Sequence, residues 1–150
     1  MTQIAKYFSK KAIVFLDVAT RDEALAKLVD ALDGAKKLKD KQAFHNAILA
    51  REALVSTGIG MGVAIPHAKL PGYTDFFISV GIQKNGGIDW DALDGQPVRI
   101  IFMIGGPDDK QSEYLGILSR LTTAIKNNER RKHVLQAEDA KQLLAVLKDL

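Results

Sequence analysis

The first third of the chain carries one short apolar run followed by two helical patterns. Residues 12–16 are all apolar, which is typical of a buried strand. Thr20 and Glu23 form a capping-box pair that predicts the start of a helix, and Gly34 can end it. Asp40 is a good N-cap residue for a second helix. The apolar faces of these helices are predicted at Leu25, Leu28, Val29 and Leu32 and at Phe44, Ala47 and Ile48.

The middle of the chain has the pattern of strands separated by turns. From residue 58 to 62 every second position is glycine, and residues 63–65 are a brief strand-like run that Pro66 ends. Residues 76–82 predict a further strand. Residues 98–104 predict another, and its largely apolar character indicates a central place in the sheet.

The last third is predicted to be helical. Residues 105–109 should break the preceding strand and start a helix, which Asn127 and Asn128 end. A short helix follows at 129–135 and a final amphipathic helix at 138–150. The residues predicted to line the two longer helices are Leu115, Leu118, Leu121, Thr122 and Ile125, and then Leu143, Leu144, Leu147 and Leu150.

This order of elements predicts an α/β fold. We expect a single layered domain over residues 1–150, with a mixed β-sheet of about five strands flanked by helices. A composition of 47% hydrophobic and 26% charged residues fits a globular protein of 150 residues. No apolar run approaches the ~20 residues that a membrane helix needs, and the N-terminus lacks a signal-peptide pattern. We therefore expect a cytoplasmic protein with no direct membrane insertion.

Composition also narrows the chemistry. The chain has no cysteine, which excludes disulfides, thiolate metal sites and a cysteine nucleophile. Its net charge is +3. The densest basic cluster lies at residues 36–41, and the nearby Asp33 and Asp40 reduce its positive charge. No aromatic residue interleaves that cluster, so we expect no nucleic-acid partner. The cluster comprises Lys36, Lys37, Lys39 and Lys41.

Three histidines are the remaining candidates for chemistry. His45 falls within the second helix and His133 within a basic stretch, and neither has partners at metal-ligand spacing, so no metal site is expected. His67 follows Pro66, which fixes its own backbone and favours an extended residue before it. This presents the imidazole at a strand end. The residues alone leave a structural and a functional role for His67 about equally open.

The segment that ends at His67 resembles a known signature. Arg51-Glu52, followed by the run from Ser56 to His67, is similar to the active-site signature of enzyme IIA proteins of the fructose/mannitol class. This family (type-2 EIIA) belongs to the bacterial phosphoenolpyruvate-dependent sugar phosphotransferase system and includes the nitrogen-regulatory enzyme IIA branch. Residues 88–98, 101–107 and 115–121 also resemble the family. The resemblance covers nearly the whole chain and is weakest before Leu16.

The resemblance implies a phosphohistidine protein without a cofactor. His67 would accept a phosphoryl group from the phosphocarrier protein HPr or its nitrogen-branch counterpart. Arg51 matches the signature arginine and would bind phosphoryl oxygens, although a salt bridge with Glu52 is an alternative role. Thr57 and Gly58 would offer hydroxyl and backbone N–H donors to the phosphate, but such residues are also ordinary turn formers.

Tyr114 is a departure from the family pattern. It stands where many members have a second histidine near the phosphorylated one. Its hydroxyl can donate a hydrogen bond to the phosphate or to the imidazole, but it supplies no positive charge at neutral pH. The alternative is that Tyr114 simply packs on its helix.

Two functions follow from the resemblance. A sugar-uptake protein would pass the phosphate to a cysteine of a separate EIIB protein, whereas a regulatory protein would use its phosphorylation state to control a target protein. Lys69-Leu70-Pro71 and the lack of an attached EIIB domain favour the nitrogen-regulatory branch. The glycine spacing does not match a dinucleotide site. We expect an apolar docking surface for the partner protein, with Ile59, Met61 and Leu70 as candidates, although each could equally belong to the core.

Overall fold

The computed structural model describes residues 3–150, which form one six-stranded mixed sheet with helices on both faces. This confirms the predicted α/β class. A 3₁₀ turn at Ala5–Tyr7 precedes the first strand. The strands are β1 (Phe8–Phe15), β2 (Gly58–Gly60), β3 (Val63–Ala64), β4 (His67–Leu70), β5 (Phe77–Ile82) and β6 (Ile100–Pro107). The helices are α1 (Arg21–Gly34), α2 (Lys41–Leu54), α3 (Gln111–Ile125), α4 (Asn128–Gln136) and α5 (Ala140–Leu147).

The sheet has the order β1-β5-β6-β3-β2, and β4 lies beside β6 at the end of β3. β5 runs antiparallel to β6, whereas β3 and β4 both run parallel to it, with Val63 opposite Ile100 and His67 opposite Ile104. Pro66 separates these two short strands because it has no N–H to donate. The Pro66 carbonyl still accepts from the Ile104 N–H at 2.9 Å, so the chain stays at the sheet and resumes as β4, a strand that the sequence pattern did not predict.

The core lies on both faces of the central strand β6. Alternate residues of a strand point to opposite faces. Ile100, Phe102 and Ile104 pack with α3, α4 and α5, and Ile101 and Met103 pack with α1 and α2. The sheet is therefore the middle of three layers, and a residue at its edge can contact helices from both outer layers.

Side-chain caps fix the starts of four helices. Thr20 Oγ1 accepts from the Glu23 N–H at 3.2 Å and Asp40 Oδ1 from the Ala43 N–H at 3.0 Å, which confirms both predicted starts. Asn127 does more than end α3, because its Oδ1 accepts from the Arg130 N–H and begins α4. Asp139 caps α5 in the same way.

Two predictions for the C-terminal half were wrong in detail. Residues 105–107 do not break the strand: β6 continues through Pro107, because β4 pairs with this stretch, Ala68 opposite Gly105 and Leu70 opposite Pro107. The predicted apolar face of α3 was also displaced. Leu115 is half exposed, and the buried residues are Tyr114, Ile117, Leu121, Ala124 and Ile125.

Gly105 is required by close packing, and we expect Gly105→Ala to destabilise the fold. A Cβ at this position would lie 2.4 Å from Phe77 Cε1 and 2.6 Å from Phe44 Cε1. Overpacking of this kind costs about 2–3 kcal/mol, measurable by denaturant unfolding. Gly34→Ala is the matched control, since nothing lies within 4 Å of its Cβ. Equal stability of the two variants would contradict the prediction.

Candidate functional site

His67 is the first residue of β4, at the edge of the sheet between α2 and α3. Among residues 3–150, β4 pairs with β6 alone. Because β6 ends at Pro107 and α3 begins at Gln111, the first turn of α3 lies beside β4. The Tyr114 ring of that turn is 5.4 Å from the imidazole, centroid to centroid. The structure thus brings together His67 and the residue aligned with the second histidine.

The imidazole of His67 is oriented by its own backbone. Nδ1 lies 3.2 Å from the Ile65 carbonyl oxygen, which can only accept a hydrogen bond. This contact assigns the proton to Nδ1. Nε2 then carries the lone pair of the neutral ring, so it is the nitrogen available as a nucleophile.

Burial lowers the pKa of His67 below its ordinary value. The hydrogen bond to Ile65 opposes this, and the positive charges of Arg51 and Lys69 lower the pKa further, against a weaker opposing effect of Glu52. A lowered pKa keeps the imidazole neutral at pH 7. The site therefore favours the nucleophilic form of the ring and places two positive charges near it.

Arg51 stands in the last turn of α2 and lines a solvent-open depression together with His67 and Lys69. Its Nη1 donates to the Val55 carbonyl at 2.9 Å, which holds the guanidinium at the end of the helix. The alternative salt bridge with Glu52 is not formed. A guanidinium has further N–H donors, so Arg51 can bind an anion at this depression while it keeps the backbone contact.

Thr57 belongs to a buried hydrogen-bond network. Its N–H and its hydroxyl donate to the two carboxylate oxygens of Glu52 at 2.6 and 2.5 Å. Trp90 Nε1 in turn donates to Thr57 Oγ1 at 3.2 Å. The Thr57 hydroxyl that was expected to bind phosphate is thus directed to Glu52. The network instead joins the end of α2, next to Arg51, to the glycine-rich segment, a function that sequence reasoning missed for Glu52 and Trp90.

We expect Thr57→Val to destabilise the protein, because it leaves a buried carboxylate oxygen and the Trp90 N–H unpaired. Such losses cost about 3 kcal/mol, measurable by urea unfolding. The fluorescence of Trp90, the chain's one tryptophan, reports the same network. Thr57→Ser keeps the hydroxyl and is the control. Parent-like stability of Thr57→Val would show that the network contributes little.

Gly58 also has a structural explanation. Its N–H donates to Ser56 Oγ at 3.1 Å, and a Cβ here would lie 2.8 Å from the Cβ of Ala92. The position therefore requires glycine for close packing. The phosphate-donor function of Gly58 and Thr57 stays a prediction from the resemblance.

The candidate docking residues do not form one surface. Leu70 lies on β4 near His67, but Met61 borders another depression with Pro97 and Arg131. Leu115, which follows Tyr114 in α3, is half exposed. Of the other histidines, His45 is half-buried on α2 and His133 is exposed on α4. Within residues 3–150, no helix is long and apolar enough to cross a membrane, and no cluster of side chains could hold a metal.

Solved structures define the class to which this fold belongs. The nitrogen regulatory protein IIA-Ntr from Neisseria meningitidis superposes with a TM-score of 0.88 at 26% identity, over 97% of this chain and 99% of that one. The IIA mannitol protein from Escherichia coli shares the fold, with a TM-score of 0.77 at 17% identity over 93% and 97% of the two chains. The fold is thus that of EIIA proteins.

The sequence assigns the family. The profile described as "Phosphoenolpyruvate-dependent sugar phosphotransferase system, EIIA 2" matches residues 6–150, and the chain belongs to this family of phosphotransfer components. It is 40% identical over 127 residues, 85% of its length, to the PTS system fructose-specific EIIABC component of Bacillus subtilis (strain 168). The matched region is only 20% of that larger protein.

Relatives of similar length come from both functional branches. A fructose-specific EIIA component of Haloferax volcanii is 33% identical over 132 residues, which are 88% of this chain and 85% of the relative. A nitrogen regulatory protein of Bradyrhizobium diazoefficiens is 30% identical with the same coverage of both chains.

Proposed function

We propose that the chain is a phosphocarrier that accepts a phosphoryl group on Nε2 of His67. The donor is the phosphohistidine of an HPr-type phosphocarrier protein or its nitrogen-branch counterpart, and no cofactor takes part. The observation that carries this proposal is the Nδ1 contact with the Ile65 carbonyl, which leaves the Nε2 lone pair free at a depression lined by Arg51.

The proposed step exchanges one nitrogen–phosphorus bond for another. The Nε2 lone pair forms the new bond to phosphorus, the bond in the donor breaks, and its electron pair stays on the donor imidazole. The proton stays on Nδ1 throughout, hydrogen-bonded to the Ile65 carbonyl oxygen. Because the phosphoryl oxygens carry the charge, positioning and neighbouring cations are the main contributions that the protein makes.

We propose that the chain has a regulatory function and belongs to the nitrogen-regulatory branch of the family. The close similarity to the Neisseria IIA-Ntr structure along almost the full length of both chains supports this assignment. In this function the chain is a type-2 EIIA domain that acts in the cytoplasm, and its phosphorylation state controls a target protein.

Sugar uptake is the second candidate, and the 40% identity to the fructose-specific Bacillus protein favours it. The chain has no cysteine, so the next acceptor would be a cysteine of an EIIB domain on another polypeptide. The structure of a complex between the Escherichia coli mannitol IIA protein and the phosphorylated IIB protein contains a chain with the fold of this one, with a TM-score of 0.77 at 16% identity.

The experiment is phosphorylation with labelled phosphoenolpyruvate, enzyme I and an HPr-type carrier. The expected product carries an acid-labile label on the peptide that contains His67. Label on any other residue overturns the proposal. Addition of a purified fructose-type EIIB then separates the branches: rapid movement of label to its thiol supports sugar uptake, and retention on His67 supports the regulatory function.

A further inference from the structure

Lys69 is held beside His67 by the first turn of α3. The two residues are two positions apart on β4, so their side chains leave the strand on the same side. Lys69 Nζ lies 4.1 Å from the centroid of the Tyr114 ring and donates to Gln111 Oε1 at 2.7 Å. The same Tyr114 ring packs against the imidazole. One aromatic ring therefore contacts both the candidate nucleophile and a neighbouring ammonium group.

Lys69 is half-buried, and two contacts fix its ammonium. Its flexible stem loses about 2 kcal/mol of rotamer entropy when it is fixed, and here a cation–π contact and a hydrogen bond compensate. An ammonium has three donors, and the described contacts use one N–H and the ring face. Lys69 also lines the depression that His67 and Arg51 share.

The two cations reach His67 from different layers of the fold. Arg51 belongs to α2, which packs on one face of the sheet, and Lys69 is held by α3, which packs on the other. Both positive charges act on the imidazole, since each lowers the pKa of His67. A dianionic phosphoryl group on Nε2 would thus meet a positive charge on each side.

We propose that Lys69 is a second phosphoryl-binding cation, whose ammonium is positioned by the ring face of Tyr114 and the amide of Gln111. The inference rests on the proposed function of His67. In the transfer step Lys69 binds an oxygen of the phosphoryl group while the donor bond breaks and the Nε2 bond forms, and no proton leaves the ammonium. Tyr114 is then a positioning residue that acts through its ring.

The first arm of the test measures the rate at which the phosphoryl group moves from the labelled HPr-type carrier to three variant proteins, Lys69→Met, Lys69→Arg and Lys132→Met. Lys69→Met keeps the apolar stem and removes the charge, and we expect a rate at least about tenfold below the parent. Lys69→Arg should recover most of it. Lys132→Met removes an exposed lysine from α4 as the matched control. If Lys69→Met transfers as fast as Lys132→Met, the inference is wrong.

A titration of His67 by NMR adds a readout that a purely structural lysine would not change. Loss of the Lys69 charge should raise the pKa of His67 in Lys69→Met, and Lys132→Met should leave that pKa unchanged. An unchanged pKa in both variants would contradict the placement of the ammonium.

The second arm separates the ring of Tyr114 from its hydroxyl. Tyr114→Leu removes the ring face and should slow transfer about as much as Lys69→Met, with no further loss when the two are combined. Tyr114→Phe keeps the ring and should restore the rate, whereas a loss equal to that of Tyr114→Leu would assign the effect to the hydroxyl. If the parent takes no label on His67, the proposed function itself fails; labelling of the parent with equal rates in all variants removes only this inference.

Discussion

A His67→Ala variant is expected to take up no phosphoryl group from the HPr-type carrier, a loss of more than about 1,000-fold in transfer rate. The reason is local: Nε2 of this imidazole is the proposed nucleophile, and alanine offers no lone pair in its place. The measurement is label incorporated per mole of protein after incubation with enzyme I, the carrier and labelled phosphoenolpyruvate.

The other two histidines provide the controls for this result. His45→Ala on α2 and His133→Ala on α4 remove an imidazole from the same protein and should label like the parent. His67→Gln tests the fold, since its amide can replace the contact with the Ile65 carbonyl but cannot accept phosphate stably. Label on the His67→Ala protein would refute the assignment of the acceptor.

Arg51→Gln is expected to lower the transfer rate about 100-fold, the second largest effect on function. Loss of one preorganised donor to a developing anion typically has an effect of this size. Arg51→Lys should be intermediate, because it keeps the charge and loses the paired donors. Single-turnover transfer from the labelled carrier measures the effect without a contribution from enzyme I.

A second arginine separates function from stability in this experiment. Arg131 also donates through Nη1 to a backbone carbonyl, that of Ile125 at the end of α3, but it lies beside Met61 and away from His67. Arg131 also donates to Asn128 Oδ1, so Arg131→Gln should lower the free energy of unfolding at least as much as Arg51→Gln and leave transfer unchanged. Equal loss of transfer in both variants would mean that Arg51 acts only through the fold.

The fold could be predicted from the sequence where local chemistry determines the structure. The caps at Thr20 and Asp40 and the apolar run within β6 each carry their own signal. The end of β6 and the existence of β4 carried none, because both depend on pairing between residues about 37 positions apart. Gly105 was interpreted as a strand breaker, although its function is to leave room for two phenylalanine rings.

The site was predictable in part. The local pattern drew attention to His67 behind Pro66 but left its role open, and the resemblance implied the acceptor role and added Arg51 and Tyr114. The Glu52–Thr57–Trp90 network was not predictable, since a buried carboxylate looks like any helix-end glutamate until its partners are known. The position of Lys69 was equally hidden, because its partners Gln111 and Tyr114 lie more than 40 residues further along the chain.

The contact between His67 and Ile65 means that the attachment point of a phosphoryl group and the strength with which it is bound depend on different parts of the structure. The segment from Ile65 to His67 determines which imidazole nitrogen carries the lone pair, because Nδ1 donates to the Ile65 carbonyl. Pro66 restricts the backbone of this segment. The charge around that nitrogen comes from Arg51 on α2 and from Lys69, whose ammonium α3 holds in place. A partner protein that shifts α2 or α3 would therefore change how strongly phosphate is held, yet the attachment point would stay the same, so affinity can be regulated without altering the chemistry of the bond.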